Sequence, residues 1–257
     1  LKLATPKTGE FKGAITDNPD YELQAFLGPN LGIFRPEDNV YLASLVDDLG
    51  LCGIQSGNAL GFIGELYQRK IVNQDDLGGL QLEWGNTKAF AEMAKRIAKR
   101  EGIGNLLAEG SYRAALELSK RKGTSLTSYA IHEKGMAIGA HGVRSGRDFT
   151  STISYACNVQ AGDHTSLAST PKEDENAELN DVLNDSGVLC NFNTFSVSTD
   201  LIWDFFEAVT GWETLRQEWY ETSGLKILQL QRAMLLLGGP DLKWRACLLY
   251  TSDAADE

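Results

Sequence analysis

Two short stretches of the sequence pair a carboxylate with a thiol at one spacing. Asp47-Asp48-Leu49-Gly50-Leu51-Cys52 and Asp185-Ser186-Gly187-Val188-Leu189-Cys190 each set a cysteine five positions after an aspartate, across a turn containing glycine and leucine. The chemistry on offer is hydrogen-bond recognition. An ionised carboxylate only accepts, which suits the paired amino and ring N–H groups of a heterocycle such as a pterin. A glycine in the turn lets backbone come close to a ligand. The same pattern is also an ordinary way to stop a helix, and the residues alone leave both readings open.

Composition narrows the class around these stretches. A chain of 257 residues, 42% hydrophobic and 23% charged, is long enough to bury a sizeable core as one large domain or two modest ones. A formal net charge of -11 sets it against nucleic acid and anionic membrane surfaces as partners. No apolar run is long enough to span a bilayer, and Leu1-Lys2-Leu3-Ala4-Thr5-Pro6 is no signal-peptide core and no natural start. Cys52, Cys157, Cys190 and Cys247 include no C-x-x-C pair, which argues against a disulfide framework or a self-contained zinc site and suits a reducing cytoplasm. The stretch from Cys247 to Glu257 breaks abruptly with the helical pattern before it and reads like a translated sequencing adapter, so it is set aside as a non-native tail, the alternative being a genuine acidic tail.

The elements that must position the two stretches are helical in pattern. Val40 to Val46 is an apolar run stopped at Gly50, which suits a left-handed residue just past a helix end. Leu60, Ile63, Leu66 and Tyr67 share a stripe, and so do Phe90, Met93, Ala94 and Ile97, with Lys95, Arg96, Lys99 and Arg100 opposite. Leu106, Leu107, Ala114, Ala115 and Leu118 continue the rhythm. Leu201, Ile202, Phe205, Phe206 and Val209 predict one more helix face, closed by Gly211. Thr214-Leu215-Arg216-Gln217 reads as a capping box opening a helix with Leu228, Leu235 and Leu236. Strand alternation is scarce, so the expected fold class is all-α with long polar loops. Residues 135–170 form the longest such loop, rich in Gly, Ser, Thr, His and Asp, and long loops in compact domains tend to be functional. Residues 171–184 are acidic and expected to be exposed.

The surroundings of the two turns add a resemblance. Pro19-Asp20-Tyr21-Glu22, Leu27-Gly28-Pro29-Asn30-Leu31-Gly32-Ile33, the Asp47–Cys52 stretch with Gly53-Ile54-Gln55-Ser56-Gly57-Asn58, Trp84-Gly85-Asn86, Arg100-Glu101-Gly102-Ile103-Gly104-Asn105-Leu106-Leu107-Ala108-Glu109-Gly110 and His132-Glu133-Lys134-Gly135 follow in order. Together they resemble the two C-terminal helical domains of the aldehyde ferredoxin oxidoreductase family, from about Asp17 to Arg245. The resemblance implies a tungsten or molybdenum bis-pterin cofactor held by dithiolene sulfurs, with no amino-acid ligand to the metal. It implies that Asp47, with Gly50, Leu51 and Cys52, binds one pterin, and that Asp185, with Leu189 and Asn191, binds the other. Cys190 matches a ligand of a [4Fe–4S] cluster, a centre held by thiolates. Its alternative is a buried free cysteine. Glu22 and His164 match residues near the metal, suited to proton transfer as an aldehyde hydrate is oxidised. Without that context Glu22 is a first-turn surface acid and His164 a loop histidine.

The sequence also departs from the family pattern. Cys52 stands where many relatives carry Asp, and a thiol accepts hydrogen bonds poorly; Ser166 stands where many carry a basic residue. The other three cluster cysteines are expected in a C-x2-C-x3-C segment ahead of Leu1, along with an N-terminal domain that cradles the pterins. Asp163, Arg144 and His141 either line the same loop region or are solvated. The expected organisation is a helical domain over 1–130 with the first pterin segment, a second over 131–246 with the other and Cys190, and the tail over 247–257. The implied reaction oxidises a small aldehyde to a carboxylic acid and passes electrons to ferredoxin or a similar carrier, with a homodimer possible. The rivals are a paralogue acting on an aromatic thioester or another substrate, and a helical scaffold that has lost the site.

Overall fold

The computed structural model describes residues 3–17, 19–140, 176–190 and 197–238. The chain divides into two compact units, Leu1–Gly142 and Val143–Glu257.

Six helices build the described part of the first unit: α1 (Tyr21–Phe26), α2 (Pro36–Asp48), α3 (Gly53–Gln68), α4 (Thr87–Lys99), α5 (Ile103–Leu107) and α6 (Ser111–Lys122). A two-residue antiparallel pairing joins β1 (Leu3–Ala4) to β2 (Thr16–Asp17), with Leu3 opposite Asp17 and Ala4 opposite Thr16. Local chemistry sets the helix ends. α2 starts with Pro36 in its first turn followed by Glu37 and Asp38, a preset φ and two negative charges where the helix dipole is positive. α4 starts on Asn86, whose side chain accepts from the Ala89 N–H at 3.2 Å, and ends with Arg96 and Lys99 in its last turn.

The first unit's core follows the helical stripes. Leu60, Ile63, Leu66, Phe90, Met93, Ala94, Ile97, Ala114, Ala115 and Leu118 are all buried in one cluster. α3 carries glycine on the side that meets α1 and the 3-10 turn at Pro29–Leu31. A Cβ on Gly57 would lie 2.5 Å from the Phe26 Cβ, and one on Gly61 2.7 Å from the Asn30 Nδ2. Only a bare backbone permits that approach, so the glycines lost to helix propensity bring α1 down onto α3.

The described helices of the second unit are α7 (Ala177–Ser186), α8 (Thr199–Thr210), α9 (Leu215–Glu218) and α10 (Gly224–Gly238), with a π-helical stretch at Trp219–Ser223 between the last two. Leu179, Val182 and Leu183 from α7 pack with Ile202 and Trp203 from α8, Trp219, and Leu228 from α10. Trp203 meets Trp219 edge-on at 5.9 Å, and the Trp219 Nε1–H donates to the Leu179 carbonyl at 3.0 Å.

The fold is all-α, as the periodicity indicates. Three local expectations change. The acidic stretch over 171–184 is not wholly an exposed segment, because α7 begins at Ala177 and buries Ala177, Leu179, Val182 and Leu183. Thr214 precedes α9 as expected of a cap, but makes no side-chain capping bond, and the helix passes through the π-helical stretch before reaching Leu228. α8 ends at Gly211 in the left-handed region as read, but its buried residues are Ile202 and Trp203, while Leu201, Phe205 and Val209 face solvent.

Candidate functional site

The two Asp-to-Cys stretches form the same backbone turn, one in each unit. At the end of α2, Gly50 is left-handed (φ 67°), its N–H donates to the Asp47 carbonyl at 2.9 Å, and the Leu51 N–H donates to the Val46 carbonyl at 3.0 Å. At the end of α7, Val188 is left-handed (φ 55°), its N–H donates to the Asp185 carbonyl at 3.1 Å, and the Leu189 N–H donates to the Asn184 carbonyl at 2.9 Å. Both are Schellman closures. They align residue for residue: aspartate two places inside the helix end, leucine after the left-handed residue, then cysteine.

The glycine is what differs. In the first turn it occupies the left-handed place, as backbone sterics favour. In the second it stands one step earlier, at φ -84°, and β-branched Val188 takes the left-handed place while 91% exposed. Packing explains the shift: a Cβ on Gly187 would lie 2.6 Å from the Phe206 Cζ and 3.2 Å from the Leu189 Cγ. The second glycine makes room for α8, and the turn keeps its form at the expense of backbone strain.

Both aspartates are exposed. The buried Thr16 hydroxyl donates to the Asp47 Oδ2 at 3.2 Å, and the Ser44 hydroxyl donates to the Ile15 carbonyl at 2.9 Å, which pins β2 along α2. Thr16 was not among the residues read from sequence; it lies 31 positions from Asp47, and nothing local signals the contact. Cys52 is an exposed free thiol at the start of α3, where its carbonyl accepts the Ser56 N–H at 2.9 Å and its side chain makes no capping bond. Cys190 is also an exposed free thiol, so the buried-cysteine alternative does not hold for it.

Glu22 is not a surface acid. Although it sits in the first turn of α1, whose first N–H groups are capped by Asp20, it is only 5% exposed. Its Oε2 accepts the Ala140 N–H at 2.6 Å. Neighbouring residues hold the segment that carries Ala140. The Asn58 amide donates to the Ile131 carbonyl at 3.0 Å and accepts from the Ser111 hydroxyl at 2.5 Å, and the Gln55 Oε1 accepts the Ala137 N–H at 3.2 Å. His132 packs against the Tyr112 ring at 4.0 Å, and its Nδ1 accepts the Gly135 N–H at 3.2 Å. Burial pushes the His132 pKa below its ordinary value of 6.5, so the ring is neutral near pH 7 with its proton on Nε2. His164 and Asn191, with Asp163, Arg144 and His141, lie outside the described residues.

Among the described residues no three His, Cys, Asp or Glu side chains converge on a common point, and no helix is long and apolar enough to cross a membrane. The donor set present is two exposed carboxylates on equivalent turns, one exposed thiol beyond each, and a buried carboxylate. Each exposed carboxylate can accept N–H groups of a ligand at its own helix end. The class so defined is an all-α segment with one exposed aspartate and one exposed thiol at each of two equivalent helix ends.

The family model described as "Aldehyde ferredoxin oxidoreductase, domains 2 & 3" matches residues 2–246. The chain is 52% identical over 244 residues to the "Aliphatic sulfonate oxidoreductase, WOR-like subunit" of Pyrococcus furiosus, a match covering 95% of this chain and 39% of that protein. It is 30% identical over 257 residues to the "Tungsten-containing aldehyde ferredoxin oxidoreductase" of the same organism, and 29% identical over 259 residues to that of Pyrococcus abyssi. Each of these two matches covers 92% of this chain and 40% of the relative. The chain belongs to the aldehyde ferredoxin oxidoreductase family, and it spans about two-fifths of the length of the curated relatives it matches.

Proposed function

We propose that this chain is part of a tungsten-pterin (or molybdenum-pterin) iron–sulfur oxidoreductase, with each Asp-to-Cys turn holding one pterin of a bis-pterin cofactor. The observation that carries the reading is the residue-for-residue match of the two turns despite their different glycine positions. A helix stop needs only a left-handed residue. It does not need an exposed aspartate at one fixed place, and a strained valine is a poor choice for it.

The bound cofactor supplies two-electron oxidation and reduction. In this reading the Asp47 and Asp185 carboxylates accept pterin N–H groups. Gly50, Leu51 and Cys52, and in the second turn Leu189 and Asn191, bring backbone beside each pterin. Cys190 is one thiolate ligand of a [4Fe–4S] cluster, the remaining three coming from outside this chain. Glu22 and His164 hold and move protons at the substrate. Burial of Glu22 against the Ala140 N–H gives its carboxylate one fixed orientation.

The 52% relative favours an aliphatic sulfonate as the substrate, and the word "subunit" in its name favours companion subunits as electron carriers. The relatives at 29% and 30% favour the second reading, in which an aldehyde and water give a carboxylate, three protons and two electrons that pass to ferredoxin. The test is to purify the full-length protein from cells grown with tungstate, measure tungsten, molybdenum and iron, and follow dye reduction with an aliphatic sulfonate and with an aliphatic aldehyde. Bound metal with sulfonate-dependent reduction supports the first reading, and aldehyde-dependent reduction the second. A protein free of tungsten and molybdenum is a scaffold without the site.

A further inference from the structure

Both partners of the Glu22–Ala140 hydrogen bond are mounted on one helix. α1, which carries Glu22, lies close against α3: a Cβ on Gly53 would sit 2.9 Å from the Leu23 Cγ, and one on Gly57 2.5 Å from the Phe26 Cβ. Residues 131–140, which supply the Ala140 N–H, meet α3 through two side chains one turn apart, Gln55 and Asn58. Asn58 donates to the Ile131 carbonyl and grips the start of the segment. The chain then closes on itself, with the Glu133 N–H donating to the Met136 carbonyl at 2.9 Å and the Met136 N–H donating to the Glu133 carbonyl at 3.0 Å. Gln55 takes the next N–H, at Ala137, and Ala140 follows three residues on. Residues 137–139 belong to no helix or strand, so side-chain contacts set the course of the backbone into Ala140.

We propose that Gln55 is a positioning residue for Glu22: by holding Ala137 it aims the Ala140 N–H at the carboxylate. An amide suits this task, because its Oε1 accepts a backbone N–H without bringing a second charge beside Glu22. Asn58 has a different task. It is buried, accepts the Ser111 hydroxyl and lies on the far side of the closed turn from Ala140, so it secures the fold of the segment. Gln55 is half-buried and stands three residues after Cys52. The helix that begins at the first Asp-to-Cys turn therefore also fixes the place of Glu22. The role at the substrate rests on the proposed reading of Glu22 as a proton-handling group, whereas the hold itself rests on the hydrogen bonds alone.

The test compares the full-length parent with Gln55→Met, which keeps the side-chain length and removes the acceptor, and Gln55→Glu, which keeps the acceptor. Hydrogen exchange, read by mass spectrometry with fragmentation to single residues, follows the Ala140 amide, and the core amides of α4 from Phe90 to Ile97 report global opening. In Gln55→Met the Ala140 amide is expected to exchange about tenfold faster while α4 is unchanged, and Gln55→Glu is expected to keep the parent rate. Gln55→Asn, one methylene shorter, is expected to match Gln55→Met and decides the matter if that variant does not fold. An Ala140 rate unchanged without the acceptor, or raised only together with α4, overturns the proposal. In the metal-loaded protein, Gln55→Met is expected to lower kcat by about tenfold or more at parent KM and parent tungsten content, with the sulfonate or aldehyde that the parent turns over. Parent kcat with a freed Ala140 amide overturns the role at the substrate. A parent protein without tungsten or molybdenum overturns the cofactor reading instead, and the exchange rates still decide whether Gln55 holds Glu22.

Discussion

Moving one glycine distinguishes the two turns by the sign of its effect on stability. Gly50 is left-handed and an added Cβ there would meet nothing within 4 Å, so Gly50→Ala tests conformation alone. A non-glycine residue in that region costs about 1–2 kcal/mol, partly offset by about 0.4–1 kcal/mol from a less flexible unfolded chain. The net expectation is a loss of roughly 0.5–1.5 kcal/mol. Val188→Gly runs the other way: it relieves about 1–2 kcal/mol of left-handed strain and gives back about 0.5–1 kcal/mol in backbone entropy. Because Val188 is 91% exposed, little burial is lost, and the second unit gains about 0.5–1 kcal/mol. Urea unfolding measures both. Trp203 and Trp219, in the second unit's core, report that unit by fluorescence, and for a slope of about 2 kcal/mol/M each kcal/mol moves the midpoint by about 0.5 M. Opposite shifts at unchanged slope are expected. A Val188→Gly protein that is less stable than the parent refutes the strained second turn and, with it, the equivalence of the two turns.

Other perturbations test the surroundings. Gly187→Ala forces a Cβ to within 2.6 Å of Phe206 and is expected to destabilise the second unit by about 1–3 kcal/mol in the same urea experiment. Asn58→Ala leaves the Ile131 carbonyl and the Ser111 hydroxyl without their partner and is expected to cost about 1–3 kcal/mol, read as a lower thermal midpoint. Because burial depresses the His132 pKa, the unfolded state binds a proton there before the folded state does. Stability is therefore full above about pH 6.5 and falls as the pH drops through the window between that value and the lower folded one. His132→Gln flattens that part of the pH profile of the unfolding midpoint. In the full-length protein, Cys190→Ser is expected to abolish the [4Fe–4S] signal in electron paramagnetic resonance, while Cys52→Ser leaves it in place.

Much of the helical frame is legible in the sequence because its signals are local. The stripes at Leu60–Leu66 and Phe90–Ile97 repeat at helical spacing, and Gly50 and Gly211 mark helix ends where they were expected. α8 misleads for a physical reason: periodicity finds an apolar helix but cannot say which apolar side has a partner. Phe205 and Val209 obey the pattern and still face solvent. The recurring Asp and Cys are visible by eye, but their exact register is not, since Gly187 and Gly50 stand at different places in equivalent turns. The long-range contacts were invisible. Thr16 reaches Asp47 across 31 positions, and Glu22 reaches Ala140 across 118.

Tungsten content in full-length Asp47→Asn and Asp185→Asn proteins bears most directly on the claim that both turns hold the cofactor. Each substitution keeps the shape of an exposed side chain but replaces half of an acceptor-only group with a donor. Each variant is expected to lose most of its tungsten, while its helical circular dichroism stays at the parent value. Two variants that retain a full complement of metal would reduce the paired turns to helix stops.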